Sequence, residues 1–325
     1  MKFSVALRTV ALLAAAAFGA ASAGAQTSDF PNRPIRLISG FAPGGATDLV
    51  ARIVAQSAAE VLGQAVVVEN KPGASGNIAA EMVARSPADG YLLYLCNATI
   101  AMPAMFPKLN FNARKDFAPV VMVGYGPQVL AANPKFPIHS MPELLEYAKQ
   151  NPGKVDFSSA GVGNITHIAM ELLISMTGAK FNHIPYKGGA PATVAAIGGE
   201  VPLVMTTIND VIPHARQGTL IPLAISSKDR SKALPDVPTM AESGVPGYEA
   251  SSWYGILAPA GTPKPVLDAL YKAIATGLAK ADRGDKLVAS GMELALMDPE
   301  TFTQFLDRET NKWNGVITQA HISID

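Results

Sequence analysis

Apolar residues fall into short runs that alternate with helical spacings, the rhythm of strand–helix–strand units. Ile35-Arg36-Leu37-Ile38-Ser39-Gly40-Phe41 predicts a strand, and Ala42-Pro43-Gly44-Gly45-Ala46-Thr47-Asp48 a tight loop. From Leu49 the spacing predicts a helix with Val50, Ile53, Val54, Ala58 and Val61 on one face and Gly63 as its stop. Ala65–Val68 reads as a second strand, Lys71–Asn77 as a loop, Ile78–Arg85 as a helix, and Tyr91–Leu95 as a third strand leading into Asn97-Ala98-Thr99. Such alternation predicts an α/β fold, an open parallel sheet with helices on both faces.

A second run repeats the rhythm. Val129–Ala132, Val155–Phe157, a stretch near His183, Val201–Thr206 and Leu220–Ile225 predict strands. Helices are expected from Ser140-Met141-Pro142-Glu143, which has capping-box spacing, to Gln150, over Ile165–Met176 before Gly178, and after Gly188-Gly189 to Ile197. The last third predicts a helix capped by Thr262 with Pro263 first, and another opened by Asp298-Pro299. It carries too few strands for its own sheet, so it is expected to pack on the first one. The chain then crosses twice, near Val120–Gln128 and Ala250–Leu257. Lobe 1 takes residues 26–125 and 255–325, lobe 2 residues 126–254, each a mainly parallel sheet flanked by helices, with a cleft between.

The N-terminus changes where this fold is expected. Lys2 and Arg8 precede and flank the apolar run Thr9–Phe18, and Ala23-Gly24-Ala25 is a small-x-small site. This is the pattern of a secretory signal peptide over residues 1–25, cleaved near Ala25. Removing Lys2 and Arg8 turns a balance of 26 Lys+Arg against 26 Asp+Glu into a net charge near −2, which argues against nucleic acid or an anionic membrane as partner. Cys96 is the only cysteine, so neither a disulfide nor a cysteine metal cage is expected, and its apolar setting reads as a core thiol. An exported chain without disulfides suits the periplasm.

The loop after the first strand carries the chemistry. A strand turning through Gly44 and Gly45 onto a helix start aims bare N–H groups at one spot, which attracts an anion. It lacks the Gly-Lys-Ser/Thr ending of a triphosphate loop and the G-x-G-x-x-G of a dinucleotide fold, so a small carboxylate fits better. Phe41, Ala42, Gly44, Gly45, Ala46, Thr47 and Asp48 are the candidates here, Asp48 doubling as N-cap. Ser158-Ser159-Ala160-Gly161-Val162-Gly163-Asn164 repeats the geometry, adding Ser158, Ser159, Gly161 and Asn164, so one carboxylate would be held from two sides. Asn97, Thr99, Thr206 and Thr207 complete the polar set. Lys187 reads either as an anion partner or as a solvated lysine, and Trp253 as cleft lining or hinge packing. The third loop, Pro72–Asn77, reads as structural, and His167 as a core or capping histidine. No G-x-S-x-G, H-E-x-x-H or S-x-x-K arrangement indicates an enzyme, and no histidine pair has metal-ligand spacing, so no cofactor is expected. A secreted α/β enzyme acting on carboxylated compounds is the competing reading.

Several stretches carry a family resemblance: Pro34–Gly45 with Asp48, Val68–Ala74, Ala88-Asp89-Gly90-Tyr91, Val155–Ser159, His183–Gly188, Leu234–Thr239 and Ala258–Pro263. In order and spacing the mature chain resembles the Bug (Bordetella uptake) receptors, also called tripartite tricarboxylate transporter receptors. The resemblance implies a two-lobed, type II Venus-flytrap fold and a monomeric periplasmic solute-binding protein without catalytic activity. It implies a carboxylate gripped by Phe41–Asp48 and Ser158–Asn164, and delivery to transporter membrane subunits or sensing for a two-component kinase. Many members carry an acid shortly before the stretch matching Pro213-His214. Val204–Asn209 holds none, so a ligand without an amino group is expected.

Overall fold

Gly45 adopts extended backbone and becomes the N-cap of the first helix, so that helix starts at Ala46, three residues before the expected Leu49. The computed structural model describes residues 30–106 and 108–319, and the expected signal peptide lies outside them. Strand β1 (Ile35–Ser39) leads to α1 (Ala46–Leu62), which buries Val50, Ile53, Val54 and Ala58 and ends at Gly63 in the left-handed region. Val61 departs from the predicted face and lies exposed in the last turn. β2 (Val66–Asn70), α2 (Asn77–Ala84) and β3 (Leu92–Asn97) follow, with β1 pairing parallel to both strands.

β4 (Phe117–Ala132) is the longest strand described, and it is shared. Its first part, to Pro127, pairs antiparallel with β9 (Ser251–Pro259), and Met122–Tyr125 also meets β10 (Glu293–Met297). From Gln128 it pairs antiparallel with β7 (Leu203–Thr207) and β8 (Ile221–Ile225). β5 (Asp156–Ser159) lies parallel to β7 and β6 (Asn182–Pro185). The strand order is β2-β1-β3-β9-β4-β7-β5-β6. Each half of this sheet therefore has a parallel outer part, as the alternation predicts, and an antiparallel inner part built by β4 and β9. The stretches expected as crossovers are these two strands.

The remaining helices are α3 (Met141–Gln150), α4 (Ile165–Thr177), α5 (Gly189–Gly198), α6 (Ile208–Arg216), α7 (Lys264–Leu278), α8 (Ala281–Ala289) and α9 (Pro299–Gln319). Ser140 caps α3 as its spacing predicts, accepting from the Glu143 N–H. Thr262 does not cap α7: Pro263 holds the N-cap position and the Thr262 hydroxyl donates to the Pro259 carbonyl at 2.7 Å. The last third does pack on the β1 side, with α9 seated against β4 and α7 against α1. Among the described residues no helix is long and apolar enough to cross a membrane.

Candidate functional site

Three helices start where the two halves of the sheet meet. α1 follows β1, α4 follows β5, and α5 follows β6. Each short strand-to-helix turn leaves N–H groups pointing into the gap between the halves. A cavity of about 20 Å³ lies there, lined by Phe41, Ala42, Gly45, Ala46, Thr47 and Asn97 from one half and by Ala160, Asn164, Ile165, Thr166, Gly189, Thr206, Thr207 and Asp210 from the other, with Ser252 and Tyr254 of β9 behind them. That is room for about one water molecule. The halves are closed on one another.

Specific hydrogen bonds hold the closure. The Ala42 N–H donates to the Lys187 carbonyl at 3.1 Å, and Asn164 Nδ2 to Thr99 Oγ1 at 3.2 Å. The Ser75 hydroxyl donates to the Val162 carbonyl, and Asn209 Nδ2 to Ser290 Oγ at 2.8 Å. The loop Gly73–Ser75, read as structural, thus clasps the opposite half. With Gly40, Phe41, Gly161 and Lys187 it lines a second cavity of about 280 Å³ on the far side of Phe41.

The anion loops are shaped by their own side chains. Gly44 has φ +88, a left-handed conformation that favours glycine. Asp48 is not an N-cap. It sits inside the first turn of α1, where Oδ2 accepts from the Gly44 N–H (3.0 Å) and Arg52 Nε (2.8 Å), and Oδ1 from Asn70 Nδ2 (3.0 Å). Burial works against its charge, yet these donors, Arg52 foremost, hold the carboxyl below its usual range. Asp48 therefore braces the loop and does not line the cavity.

In the opposite loop, Asn164 caps α4 through its side chain, which accepts from the Thr166 N–H at 3.0 Å. His167 Nδ1 accepts from the Gly163 N–H at 3.2 Å, and the His167 and His183 rings stack with centroids 4.0 Å apart. Ser159 Oγ meets His183 Nε2 at 2.6 Å. Burial, and then the neighbouring His167, push His183 down to about 3, so it is neutral at ordinary pH. These histidines shape the loop, which fits the capping role read for His167.

Of the predicted residues, Phe41, Ala42, Gly45, Ala46, Thr47, Asn97, Asn164, Thr206 and Thr207 meet at the cavity wall. Gly161 and Lys187 line the neighbouring one. Gly44, Asp48, Thr99, Ser158 and Ser159 stand behind the wall. Ser158 Oγ is taken up by the Ala192 and Leu203 carbonyls at 2.9 and 3.2 Å. Trp253 lines neither cavity. It is 1% exposed, packs edge-on against Phe302 and Phe305, and donates from Nε1 to Glu309 Oε2 at 3.1 Å. Trp253 is therefore core packing between β9 and α9. Cys96 is buried, donates to the Gly255 carbonyl at 3.3 Å, and burial pushes its thiol up, away from reactivity.

The sequence reading missed an acid. Asp210 stands one residue beyond the stretch read as lacking one, three before Pro213, and lines the cavity. The expectation that no carboxylate faces the ligand is therefore corrected, and with it the argument against an amino-bearing ligand. Asp210 was missed because Pro213 broke up the pattern of α6, the helix that carries it. Asp210 Oδ2 accepts from Thr206 Oγ1 at 2.8 Å, and the Ala46 N–H across the cleft faces the same carboxylate. Burial pushes the Asp210 carboxyl up to about 6 against the pull of these donors. Tyr254, pushed up to about 12 chiefly by burial, meets Thr207 Oγ1 at 3.4 Å. The Ser252 hydroxyl, 1% exposed, lies beside Tyr254. No group of three or more His, Cys, Asp or Glu side chains among the described residues is arranged to hold a metal.

The chain is similar to known proteins over most of its length. Residues 50–322 match the family described as tripartite tricarboxylate transporter family receptor. The chain is 37% identical to protein BugT of Bordetella pertussis over 317 residues, 97% of each chain. A protein of R. palustris solved with adipate superposes with TM-score 0.87 at 33% identity, covering 91% of this chain and 99% of that one. MatC from Rhodopseudomonas palustris, with bound malate, gives TM-score 0.84 at 31% identity, covering 89% and 100%.

Proposed function

The chain belongs to the tripartite tricarboxylate transporter receptor family, and from that premise we propose that it is a periplasmic receptor that captures one small carboxylate in the cleft and releases it unchanged. The observation that carries this reading is the convergence of the α1, α4 and α5 N-termini on one cavity. N–H groups and helix dipoles there favour an anion from both sides of the cleft. The surrounding side chains of Asn97, Asn164, Thr47, Thr166, Thr206 and Thr207 are neutral donors and acceptors that fix its orientation. Release of the acid unchanged is supported by the receptor family to which the chain belongs. The adipate and malate held by the two R. palustris proteins support acids of this size.

On this reading the two halves of the sheet are lobes, residues 26–125 with 255–325 and residues 126–254, hinged on β4 and the segment entering β9. Delivery to transporter membrane subunits is supported by the family. A sensor kinase would be served by the same capture step.

Calorimetry of the mature protein against aliphatic, hydroxy, aromatic and amino acids tests the proposal. One acid is expected to bind at one per chain with a Kd of about 1 μM, roughly −8 kcal/mol. Binding of a sugar or an amine in the absence of binding by any carboxylate would overturn it. Incubation with the bound acid followed by mass spectrometry is expected to return it intact.

A further inference from the structure

Asp210 occupies ground that the proposed function assigns to an incoming anion. The N-termini of α1 and α5 meet nose to nose. A Cβ placed on Gly45, the N-cap of α1, would lie 3.3 Å from the Ala190 nitrogen and 3.8 Å from the Gly189 nitrogen, the first residues of α5. Two helix N-termini in contact repel through their dipoles unless an anion lies between them. The chain supplies one. Asp210 faces the Ala46 N–H of α1, and its Oδ2 fills the space beside Gly189 so closely that a Cβ there would come within 2.1 Å.

We propose, resting on the receptor reading, that Asp210 is a resident anion in the carboxylate seat, and that capture of an acid is coupled to uptake of one proton by Asp210. The bound carboxylate and the Asp210 carboxyl then share that proton between the helix ends. Two carboxylates placed that close do not both stay ionised, so one binds the proton. The balance is simple: one carboxylate group and one proton from solvent enter the seat, whose charge is unchanged, and the second carboxylate of a dicarboxylic acid brings its own charge.

The surroundings leave Asp210 as the group that titrates. β7 (Leu203–Thr207) and α5 (Gly189–Gly198) carry no ionisable side chain. Tyr254 of β9 is held protonated to about pH 12. On α1, Asp48 is paired with Arg52 at 2.8 Å. On α4, His167 lies 3.3 Å from Glu171, turned away from the cavity by its bond to the Gly163 N–H. Lys187 precedes α5 and faces the neighbouring cavity, Lys286 of α8 lies behind α6 in a surface groove beside Asn209, and His214 and Arg216 lie at the far end of α6. Thr206 tunes the carboxylate without a charge of its own. The Ser252 hydroxyl, beside Tyr254 on the cavity wall, is a neutral donor within the seat.

Adipate and malate are the probes. Titration of the wild-type chain with each, at pH 7.5 in buffers of differing ionisation enthalpy, is expected to show about one proton taken up per acid bound. Above pH 6.5 the Kd of the wild type is expected to rise about tenfold per pH unit. Asp210→Asn is expected to bind at least one of the two acids, at least as tightly as the wild type at pH 8, with no proton uptake and a flat pH profile. Binding by the wild type with no proton uptake would overturn the proposal while leaving the receptor reading intact. So would an Asp210→Asn variant that keeps the wild-type pH slope, or one that binds neither acid although its seat carries no charge at any pH. The receptor reading fails separately, if no acid of any kind binds.

Discussion

Gly45 has an extended backbone, so a side chain there tests contact rather than backbone strain. Its Cβ would lie 3.3 Å from the Ala190 nitrogen across the cleft, and a valine's further carbons would hold the closed helix ends apart. Gly45→Val is therefore expected to lower affinity at least tenfold while moving the melting temperature by no more than a few degrees, measured by calorimetry and thermal unfolding. Equal loss in both would make the residue structural only. Asp210 gives a second residue-scale expectation, for the protein without ligand. Its carboxyl is raised to about 6, so the folded state holds this proton more tightly than the unfolded chain does. The advantage is present below about pH 4 and is lost as pH rises to about 6 and beyond. Urea unfolding of wild type and Asp210→Asn should show the variant gaining on the wild type across that window, by on the order of 2 kcal/mol. A constant gap from pH 4 to 7 would contradict the perturbed carboxyl. Neither residue was fully legible beforehand. The turn onto α1 announced Gly45 as a backbone position, whereas its partner Ala190 is distant in sequence. Asp210 was hidden behind Pro213, and its neighbours Ser252 and Tyr254 lie on a strand read as a connection.

The outer strands and their helices were legible because each buries one apolar face with its own short-range period, as in β1–α1–β2 and β5–α4–β6. What was not legible is the antiparallel centre. β4 and β9 pair with partners far away in sequence, and no local signal states that one strand serves both halves of the sheet. The length of β4 was broken in the pattern by Pro119, Gly124, Gly126 and Pro127, and the register of its pairing with β9 shifts at Pro119/Val121 and Met122/Gly124. At this scale Glu309 of α9 is decisive. Its Oε2 accepts from both indoles, Trp253 Nε1 at 3.1 Å and Trp313 Nε1 at 3.0 Å, and so ties the end helix to β9. Glu309→Ala leaves two buried donors short of an acceptor and is expected to cost about 2 kcal/mol in urea unfolding. Glu309→Gln keeps an oxygen in place and is expected to recover most of it. If the two variants unfold alike, the indoles are satisfied by other means and the tie is not the reason for the packing.

For the whole molecule, the closed cleft sets the order of events. An acid of the size of malate does not fit a cavity of about 20 Å³, so the halves must part to admit it and re-close around it with a wider seat. The bonds from Ser75 to Val162 and from Asn209 to Ser290 exist only when the halves meet, and both stand away from the cavity wall. They stabilise the closed state without touching the acid, and each contributes about 1 kcal/mol net. With the acid-free protein resting open in solution, the double variant Ser75→Ala, Asn209→Ala is expected to weaken acid binding by up to about thirtyfold. The loss should fall on the dissociation rate, because the open form that first meets the acid does not contain these bonds. Stopped-flow measurement of both rates separates the cases, and small-angle scattering should show the wild type contracting on saturation with the acid and the variant contracting less. A variant with an unchanged dissociation rate and an unchanged scattering profile would mean that these bonds play no part in holding the cleft shut, and that closure rests on the helix ends and the acid alone.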